Sequence, residues 1–340
     1  MERKSIVFTK VNTAEFLTEK FSPEPGAGEV LVRTVCGGIS PGTERANITG
    51  NPNVAGKSKH DVPFPRQCGY STAGIVEAVG EGVTSVAVGD RVIAYWTKHR
   101  SLQTVPEDQV VKITSDRISF EEAALIFISV FPLAAIRKTR LEIGESALVM
   151  GCGLLGQFAV RLLRAAGAVP IIAADPVESR RAEALAGGAD YALDPTAPDF
   201  AETVKRITGK GAKVCIEVTG VGAGLDGALD CMAKFGRVAL LGCTRDKEFT
   251  IDYYRKVHCP GITLIGAHTM ARPEKESHSG WFTHRDDILS VMKLVESGRL
   301  DIKSMIGGVY SPVDCAEVYD HIINDRSFPT AAIFDWRNIK

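Results

Sequence analysis

The sequence carries almost no net charge and has no run of basic residues. Its 340 residues include 40 Lys and Arg against 41 Asp and Glu, which gives a formal net charge of -1. Nucleic acids and anionic membranes attract proteins through clustered positive charge. The composition therefore argues against both as partners and directs attention to small-molecule substrates.

Long apolar runs are also absent. The longest, AALIFISVFPLAAI over residues 123–136, is too short to cross a bilayer and contains Pro132. The opening stretch, MERKSIVFTKVNTAEF, has no apolar core of the length that a signal peptide needs. We therefore expect a cytoplasmic protein.

The cysteines form no recognisable framework. None of the 8 cysteines lies in a C-x-x-C pair, and the spacing of a zinc ribbon is missing. In a cytoplasmic chain, scattered cysteines are typical of small buried apolar positions. We expect buried free thiols at residues 36, 68, 152, 215, 231, 243, 259 and 315.

Short strand patterns fill the chain up to about residue 125. The runs EVLVRTVC, AGIVEAVG and RVIAYW are rich in Val and Ile, and Gly- and Pro-containing turns separate them. This pattern predicts a small unit similar to a β-barrel. Near the end of the chain, MIGGVYSP and PTAAIFDW predict strands that return to this unit.

From Ala147 onwards, apolar strands alternate with helical stretches. The strands are SALVMG, VPIIAADP, KVCIEVTG, RVALLGC and ITLIGAH, and helices are predicted over 154–166, 177–186, 198–208, 224–232 and 286–297. This alternation favours a doubly wound parallel sheet. Before it, Ser119 and Glu122 have the spacing of a capping box and predict the start of another helix.

The stretch MGCGLLGQFAVRLLRAAGAVPIIAADP has the pattern of a dinucleotide-binding turn. Gly151 permits the tight turn, Gly153 lets the backbone approach a pyrophosphate, and Gly156 allows close contact between helix and strand. Leu154 and Leu155 open the following helix, whose free N–H groups favour phosphate.

Asp175 ends the next strand, where an acid that binds the ribose hydroxyls is expected. Its charge would repel a 2′-phosphate, so it favours NAD over NADP. Arg180 and Arg181 argue the other way, since either could reach such a phosphate. After strand CIEV, Thr219 and Gly220 are placed to border the adenosine side of the cofactor.

Three segments resemble the medium-chain dehydrogenase/reductase superfamily, which has the fold of zinc alcohol dehydrogenases. They are PGAGEVLVRTVCGGISPGTE, CGYSTAGIVEAVGEGVTSVAVGDRVIA and GCGLLGQFAVRLLRAAGA. The resemblance implies a GroES-like catalytic domain over residues 1–125 and 275–340 and a Rossmann domain over 126–274. It also implies hydride transfer to or from a nicotinamide.

The resemblance further implies which backbone segments contact the nicotinamide. They follow two strand ends, at Gly242, Cys243 and Thr244 and at Gly266, Ala267 and His268. In the family, the strand that corresponds to ITLIGA usually forms the edge at which two subunits join, so a homodimer is expected.

The departures from the family concern zinc. Zinc members have a Cys where this sequence reads Ser40-Pro41, and Gly-His-Glu where it reads Gly69-Tyr70-Ser71. No metal ligand occurs near IFISVF, where a third would fall, and the lobe with four structural-zinc cysteines is missing. Because zinc needs thiolate, imidazole or carboxylate ligands, we expect no zinc at this site. An unrelated cluster of His60, His99 and His268 is the alternative.

Without a metal, protein groups must manage the alcohol proton. The resemblance places Thr43 where the family has a hydroxyl that bonds substrate, and Tyr70 where it has a ligand. A neutral imidazole, or a Tyr or Lys of lowered pKa, could accept the proton. Tyr70 and His99 are our catalytic candidates with Thr43, and Glu44 is a candidate for substrate binding. The alternatives are a core tyrosine, a helix cap, a surface histidine and a first-turn helix charge. Lys57, Lys59 and His60 lie in the same stretch of loops.

The late stretch HTMARPEKESHSGWFTHRDD combines arginines, histidines and one tryptophan. Polar donors beside an aromatic ring suit a sugar, so Trp281 and Arg272 are candidates for substrate binding; a surface loop is the alternative. The motif ISPGTE also resembles a zinc-free branch near sugar 3-dehydrogenases and hydroxyethyl-chlorophyllide dehydrogenases.

Three functions are consistent with these features. The first is an NAD-dependent, zinc-independent dehydrogenase that oxidises a secondary hydroxyl of a sugar, glycoside or polyol. The second is an NADPH-dependent quinone or enoyl reductase, against which Asp175 argues. The third is a protein that binds NAD(H) without turnover.

Overall fold

The computed structural model describes residues 1–51, 62–244 and 248–339, and the chain divides into two compact units. Unit 1 comprises Met1–Ile128 and Ile288–Lys340, and unit 2 comprises Ser129–Asp287. The domain limits 125/126 and 274/275 stay predictions. Asp287, the last residue of unit 2, pairs with Arg137 and Arg272 of the same unit.

Unit 1 is built mainly from antiparallel strands, as its Val- and Ile-rich runs predict. Its strands are β1 (Glu2–Lys10), β2 (Thr13–Lys20), β3 (Glu29–Ile39), β4 (Ser71–Val79), β5 (Arg91–Tyr95), β6 (Leu102–Pro106), β7 (Val110–Lys112), β14 (Ile306–Tyr310) and β15 (Ala331–Asp335). β1 and β2 form a separate hairpin, and the other strands form one sheet in the order β14-β15-β3-β4-β5-β7, with β6 paired to β3. The predicted return of the last two strands to this unit is confirmed.

Two helices of unit 1 position polar residues. Helix α1 (Pro41–Ile48) follows β3 directly, with Pro41 in its first turn, where a missing N–H costs nothing. Helix α8 (Cys315–Asn324) presents an apolar stripe of Cys315, Val318, Tyr319 and Ile322 to the core.

Unit 2 contains the doubly wound sheet that the alternating pattern predicts. Its strands are β8 (Ala147–Met150), β9 (Ile171–Ala174), β10 (Tyr191–Leu193), β11 (Ala212–Glu217), β12 (Met232–Leu240) and β13 (Thr263–Gly266). Their order is β10-β9-β8-β11-β12-β13, and all neighbours are parallel. This is the 3-2-1-4-5-6 order of dinucleotide-binding sheets.

The helices of unit 2 connect these strands. They are α3 (Leu154–Ala165), α4 (Glu178–Ala186), α5 (Phe200–Thr208) and α6 (Gly222–Asp230). The helix predicted over 224–232 therefore begins and ends earlier, and Met232 already belongs to β12. The apolar side chains of α5 and α6 pack on β8, β11 and β12 in one core cluster.

Two further helices, α2 (Phe120–Thr139) and α7 (His284–Glu296), cross the division between the units. The capping box before α2 is confirmed, because Ser119 Oγ accepts from the Glu122 N–H at 3.2 Å while Glu122 Oε2 accepts from the Ser119 N–H at 3.0 Å. In the parts of the chain that the structure describes, no helix combines the length and the apolar character that crossing a membrane requires.

The expectation that every cysteine is a buried thiol is wrong at two positions. Six cysteines are buried, but Cys243 and Cys259 are exposed. All eight are free thiols.

Candidate functional site

The glycine turn of unit 2 has the geometry that its motif predicts. Gly151 has φ +97°, which favours glycine, and a Cβ on Gly156 would lie 1.9 Å from the Gly151 carbonyl oxygen. A Cβ on Gly153, by contrast, would meet nothing within 4 Å. Gly153 precedes α3, so the open side of the turn lies at a helix N-terminus, where Leu154 and Leu155 follow. These residues fit a dinucleotide pyrophosphate.

The carboxylate of Asp175 lies at the same turn. Its Oδ2 accepts from the Cys152 N–H at 2.8 Å and its Oδ1 from the Val177 N–H at 2.9 Å. Because an ionised carboxylate offers about four acceptor positions, acceptor capacity remains for ribose hydroxyls. Arg180 Nη1 lies 3.8 Å from Asp175 Oδ2. The structure thus brings together the acid that favours NAD and an arginine that could bind the 2′-phosphate of NADP.

Close backbone packing brings the next candidate segments beside this turn. A Cβ on Gly151 would lie 3.1 Å from Thr219 Cγ2, one on Gly220 would lie 2.7 Å from the Cys243 carbonyl oxygen, and one on Gly242 would lie 2.4 Å from the Gly220 nitrogen. The ends of β8, β11 and β12 therefore meet with no room for side chains at these glycines. Their role in cofactor binding stays a prediction.

The segment after β13 lies next to the end of β12, because the Ala267 N–H donates to the Leu240 carbonyl at 3.1 Å. Gly266 and His268 are exposed there, as is Thr244 after β12. The structure thus brings the two predicted nicotinamide segments to one edge of the sheet.

In unit 1, three hydroxyl groups meet at and beside the positions where the resemblance places zinc ligands. The Tyr70 hydroxyl makes side-chain hydrogen bonds with Ser40 and with Thr43. Burial raises the pKa of Tyr70, and the nearby Glu44 carboxylate raises it further, although the two hydrogen bonds oppose the shift. The expectation of a tyrosine with a lowered pKa is therefore wrong: Tyr70 keeps its proton at neutral pH.

A buried carboxylate lies beneath these hydroxyls. The side chains of Glu44, His99 and Tyr319 are 0%, 2% and 1% exposed. Glu44 Oε1 accepts from the Ser40 N–H at 2.9 Å and lies 3.1 Å from His99 Nε2, and its Oε2 accepts from the Tyr319 hydroxyl at 2.5 Å. His99 is thus not a surface residue, and Glu44 is not merely a first-turn charge on α1.

His99 is held by its surroundings as well as by Glu44. The backbone N–H of His99 donates to the Cys68 carbonyl at 2.9 Å. The imidazole ring packs edge-on against the Phe334 ring, with ring centroids 5.1 Å apart. A Cβ on Gly69 would lie 2.7 Å from the His99 nitrogen, so the glycine before Tyr70 is required for this close approach.

Tyr319 is the residue of this network that the sequence patterns did not single out. One signal was available: a tyrosine on the apolar stripe of an amphipathic helix needs a buried partner for its hydroxyl. The partner, Glu44, lies far away in the sequence and is identified only by the fold.

The side chains at the zinc positions do not fit zinc. Ser40, Pro41 and Tyr70 offer no thiolate or imidazole, and the Ser71 hydroxyl donates to the Ala124 carbonyl at 2.6 Å. Among the residues that the structure describes, no group of three or more His, Cys, Asp and Glu could hold a metal. Lys57, Lys59 and His60 lie outside the described residues, so the alternative cluster with His60 is untested.

The late loop forms a polar cluster within unit 2. Arg272, 3% exposed, binds Asp287 Oδ2 at 3.1 Å, the Thr269 carbonyl at 3.1 Å and the Val130 carbonyl at 3.1 Å. Arg137 binds the other oxygen of Asp287 at 2.8 Å. Arg272 therefore ties the loop to α2 and α7, and its contact with substrate stays a prediction.

Trp281 lies at the edge of this cluster. The Lys138 ammonium lies 4.7 Å from the centre of the Trp281 ring and donates to the Gly266 carbonyl at 3.4 Å. Burial lowers the pKa of Lys138 to about 8, the charge of Arg272 lowers it too, and Asp287 opposes both. The structure thus brings Trp281 and Arg272 into one cluster, at the end of β13.

Two family models match the chain. The alcohol dehydrogenase GroES-like domain matches residues 26–115, and the zinc-binding dehydrogenase model matches residues 155–282. Together they cover strands of unit 1 and most of unit 2.

Curated relatives match over most of the chain. L-threonine 3-dehydrogenase of Pyrococcus horikoshii is 27% identical over 91% of this chain and 92% of its own. D-guloside 3-dehydrogenase of Escherichia coli K12 is 26% identical over 76% of this chain and 74% of its own. (R,R)-butanediol dehydrogenase of Bacillus subtilis is 32% identical over 52% of this chain and 58% of its own.

Solved structures share the fold along the whole chain. The 2R,3R-butanediol dehydrogenase of Bacillus subtilis superposes with a TM-score of 0.80 at 23% identity, covering 98% of this chain and 99% of that one. The rspB alcohol dehydrogenase of Escherichia coli CFT073, complexed with NADH, has a TM-score of 0.82 at 19% identity and the same coverage.

The buried ion pairs of Asp287 predict the effect of removing one arginine. Arg272→Leu should lower the free energy of unfolding by about 3 kcal/mol, because it leaves a buried carboxylate short of a partner. Arg206→Leu, at an exposed position of α5, is the control and should change it by less than about 0.5 kcal/mol. Urea unfolding measures both, and equal stabilities would contradict the role given to Arg272.

Proposed function

The chain belongs to the medium-chain dehydrogenase/reductase superfamily and is an oxidoreductase that acts on CH–OH groups, and we propose that it oxidises a secondary hydroxyl of a sugar, glycoside or polyol to a ketone, with NAD and without zinc. The observation that carries this proposal is the cluster of the Ser40, Thr43 and Tyr70 hydroxyls, in which Tyr70 and the Ser40-Pro41 pair stand where the resemblance places zinc ligands.

The relatives support the choice of a secondary hydroxyl. Position 3 of threonine, position 3 of a guloside and both carbinol carbons of (R,R)-butanediol all carry secondary hydroxyls. The guloside enzyme supports a sugar or glycoside in particular. The polar cluster with Trp281 is consistent with that class, since aromatic faces pack on sugar C–H groups.

Asp175 supports NAD as the cofactor. Its carboxylate stands at the glycine turn with acceptor capacity left for two ribose hydroxyls, and its charge opposes a 2′-phosphate. When bound, a nicotinamide accepts the hydride from the carbinol carbon. We propose that Gly151, Gly153 and Gly156 hold the pyrophosphate and that the segments after β12 and β13 border the nicotinamide.

The residues of unit 1 would manage the charge on the substrate oxygen. Tyr70 stays protonated, so its hydroxyl donates to that oxygen and stabilises the negative charge that develops there, while the Ser40 and Thr43 hydroxyls hold the Tyr70 oxygen. We propose His99 as the proton acceptor. The Glu44 carboxylate at its Nε2 would stabilise the imidazolium that forms, as carboxylates do in related acid–base pairs.

Purified protein should contain zinc well below one atom per chain and should reduce NAD with a member of a panel of sugars, glycosides and cyclitols. Chelation should leave the rate unchanged, because no step depends on a metal. Stoichiometric zinc whose removal abolishes activity, and whose return restores it, would contradict the proposal. NADPH consumption with quinones or enones would instead indicate a reductase. Tight NADH binding without turnover would indicate a sensing protein.

Asp175→Asn should relax the preference for NAD over NADP by about tenfold, because it removes one negative charge near the 2′ position while keeping one acceptor oxygen. Asp190→Asn is the matched control, since Asp190 also accepts a backbone N–H in unit 2, from Ile171 at 2.7 Å. Dissociation constants of both cofactors, measured by fluorescence, give the ratio. An unchanged ratio would show that Asp175 does not select the cofactor.

Tyr70→Phe should lower kcat about a hundredfold, the typical loss when one donor to a developing oxyanion is removed. The NAD dissociation constant should stay the same. Tyr310→Phe is the control, because Tyr310 lies on β14 with its ring stacked on Phe328. Steady-state kinetics of the three proteins test this, and full turnover in Tyr70→Phe would remove Tyr70 from the mechanism.

A further inference from the structure

We propose that Tyr319 is a positioning residue for the reaction: its hydroxyl holds the Glu44 carboxylate so that one oxygen faces both His99 and the backbone of Ser40. This proposal rests on the function proposed above, in which His99 accepts the proton of the substrate. It adds Tyr319 of α8 to the residues that serve the reaction; the apolar pattern of α8 by itself predicts only that Tyr319 packs in the core.

The geometry assigns different partners to the two oxygens of Glu44. Oε2 accepts from the Tyr319 hydroxyl at 2.5 Å, whereas Oε1 faces the Ser40 N–H at 2.9 Å and His99 Nε2 at 3.1 Å. A carboxylate that is 0% exposed cannot turn to water for a missing partner. Without the Tyr319 hydroxyl, Oε2 would be left unsatisfied, so the carboxylate would rotate or draw His99 closer.

A displacement of the Glu44 carboxylate would also move Ser40 and so disturb the hydroxyl cluster. The Ser40 N–H is bound by Glu44 and the Ser40 side chain is bound by Tyr70. The carboxylate therefore fixes the residue that orients the Tyr70 hydroxyl. Tyr319 acts one step further away and does not itself need to touch the substrate.

The Tyr319 ring is held independently of its hydroxyl. It packs edge-on against the Phe8 ring, with ring centroids 4.8 Å apart. Its centroid lies 6.1 Å from that of the Phe334 ring. Tyr319→Phe should keep this packing while removing only the hydrogen bond. Burial holds the pKa of Tyr319 far above its usual value, and the Glu44 charge adds to this, so the hydroxyl is a permanent donor at neutral pH.

The thiols and the second tyrosine hydroxyl that face this network keep their protons at neutral pH. Burial raises the pKa of Cys315 to about 11 and that of Cys68 well above its usual value, and it also raises the pKa of Tyr70. Arg66 and Lys98 are the cations close to Cys68.

Tyr319→Phe should lower kcat/KM for the alcohol about tenfold, because Glu44 would no longer hold His99 and Ser40 in place, and it should leave the NAD dissociation constant unchanged. The acid limb of the kcat/KM profile should move to higher pH, because a carboxylate that has lost one donor stabilises a neighbouring imidazolium more strongly. Packing alone would not move this limb.

The matched control is Tyr95→Phe. Tyr95 is also a buried tyrosine of unit 1, but its hydroxyl donates to the Asp108 carbonyl at 2.6 Å and not to Glu44. It should lose stability without any shift of the pH profile. Equal losses of kcat/KM in both variants, or a Tyr319→Phe profile identical to that of the unmodified protein, would overturn the proposal.

A second measurement does not require turnover. Nitrogen-15 NMR of the imidazole rings, with the His99 signals identified by His99→Gln, gives the pH at which His99 changes protonation. That pH should rise in Tyr319→Phe and stay constant in Tyr95→Phe; a constant value in both would overturn the proposal. If the unmodified protein reduces no NAD with any alcohol, the proposed function fails, and this titration still decides the role of Tyr319.

Discussion

The buried carboxylate of Glu44 is the constraint on which the organisation of unit 1 depends. A charge without solvent must be paired, and Glu44 is paired with groups from three separate parts of the chain: the Ser40 N–H beside α1, the His99 ring after β5 and the Tyr319 hydroxyl on α8. Satisfying one carboxylate therefore fixes α1 against the sheet and α8 against α1. It also places Ser40 where its side chain meets Tyr70.

In unit 2, close backbone contacts shape the glycine turn. Its parallel strands end in loops whose glycines approach one another too closely for side chains, as at Gly156 over the Gly151 carbonyl and Gly242 beside Gly220. At the start of α3 the N-cap residue is Gly153, which has no side chain to cap the helix, and Asp175 closes the turn through the Cys152 and Val177 N–H groups. The same acid thus shapes the turn and offers its remaining acceptor positions to a ribose.

Local patterns explain which features were predictable from the sequence. The strand order of unit 2 follows from the alternation of strands and helices, and the capping box at Ser119 follows from residue spacing, because both depend on neighbours in the chain. The Glu44–Tyr319 bond joins residues 275 positions apart, so no local pattern contains it. The raised pKa of Tyr70 likewise depends on burial and on Glu44, which spacing does not reveal.

The chemistry of the hydroxyl cluster follows from these constraints. A metal stabilises an alkoxide by its charge, whereas neutral hydroxyls do so only if they are held in place before the charge develops. Tyr70 meets that condition because Ser40 and Thr43 both bind its hydroxyl, and Ser40 is itself fixed by Glu44. The negative charge of Glu44 also raises the pKa of Tyr70 and so keeps its proton available as a donor. The same carboxylate can stabilise an imidazolium at His99. One buried charge can therefore favour both a permanent donor at Tyr70 and a proton acceptor at His99.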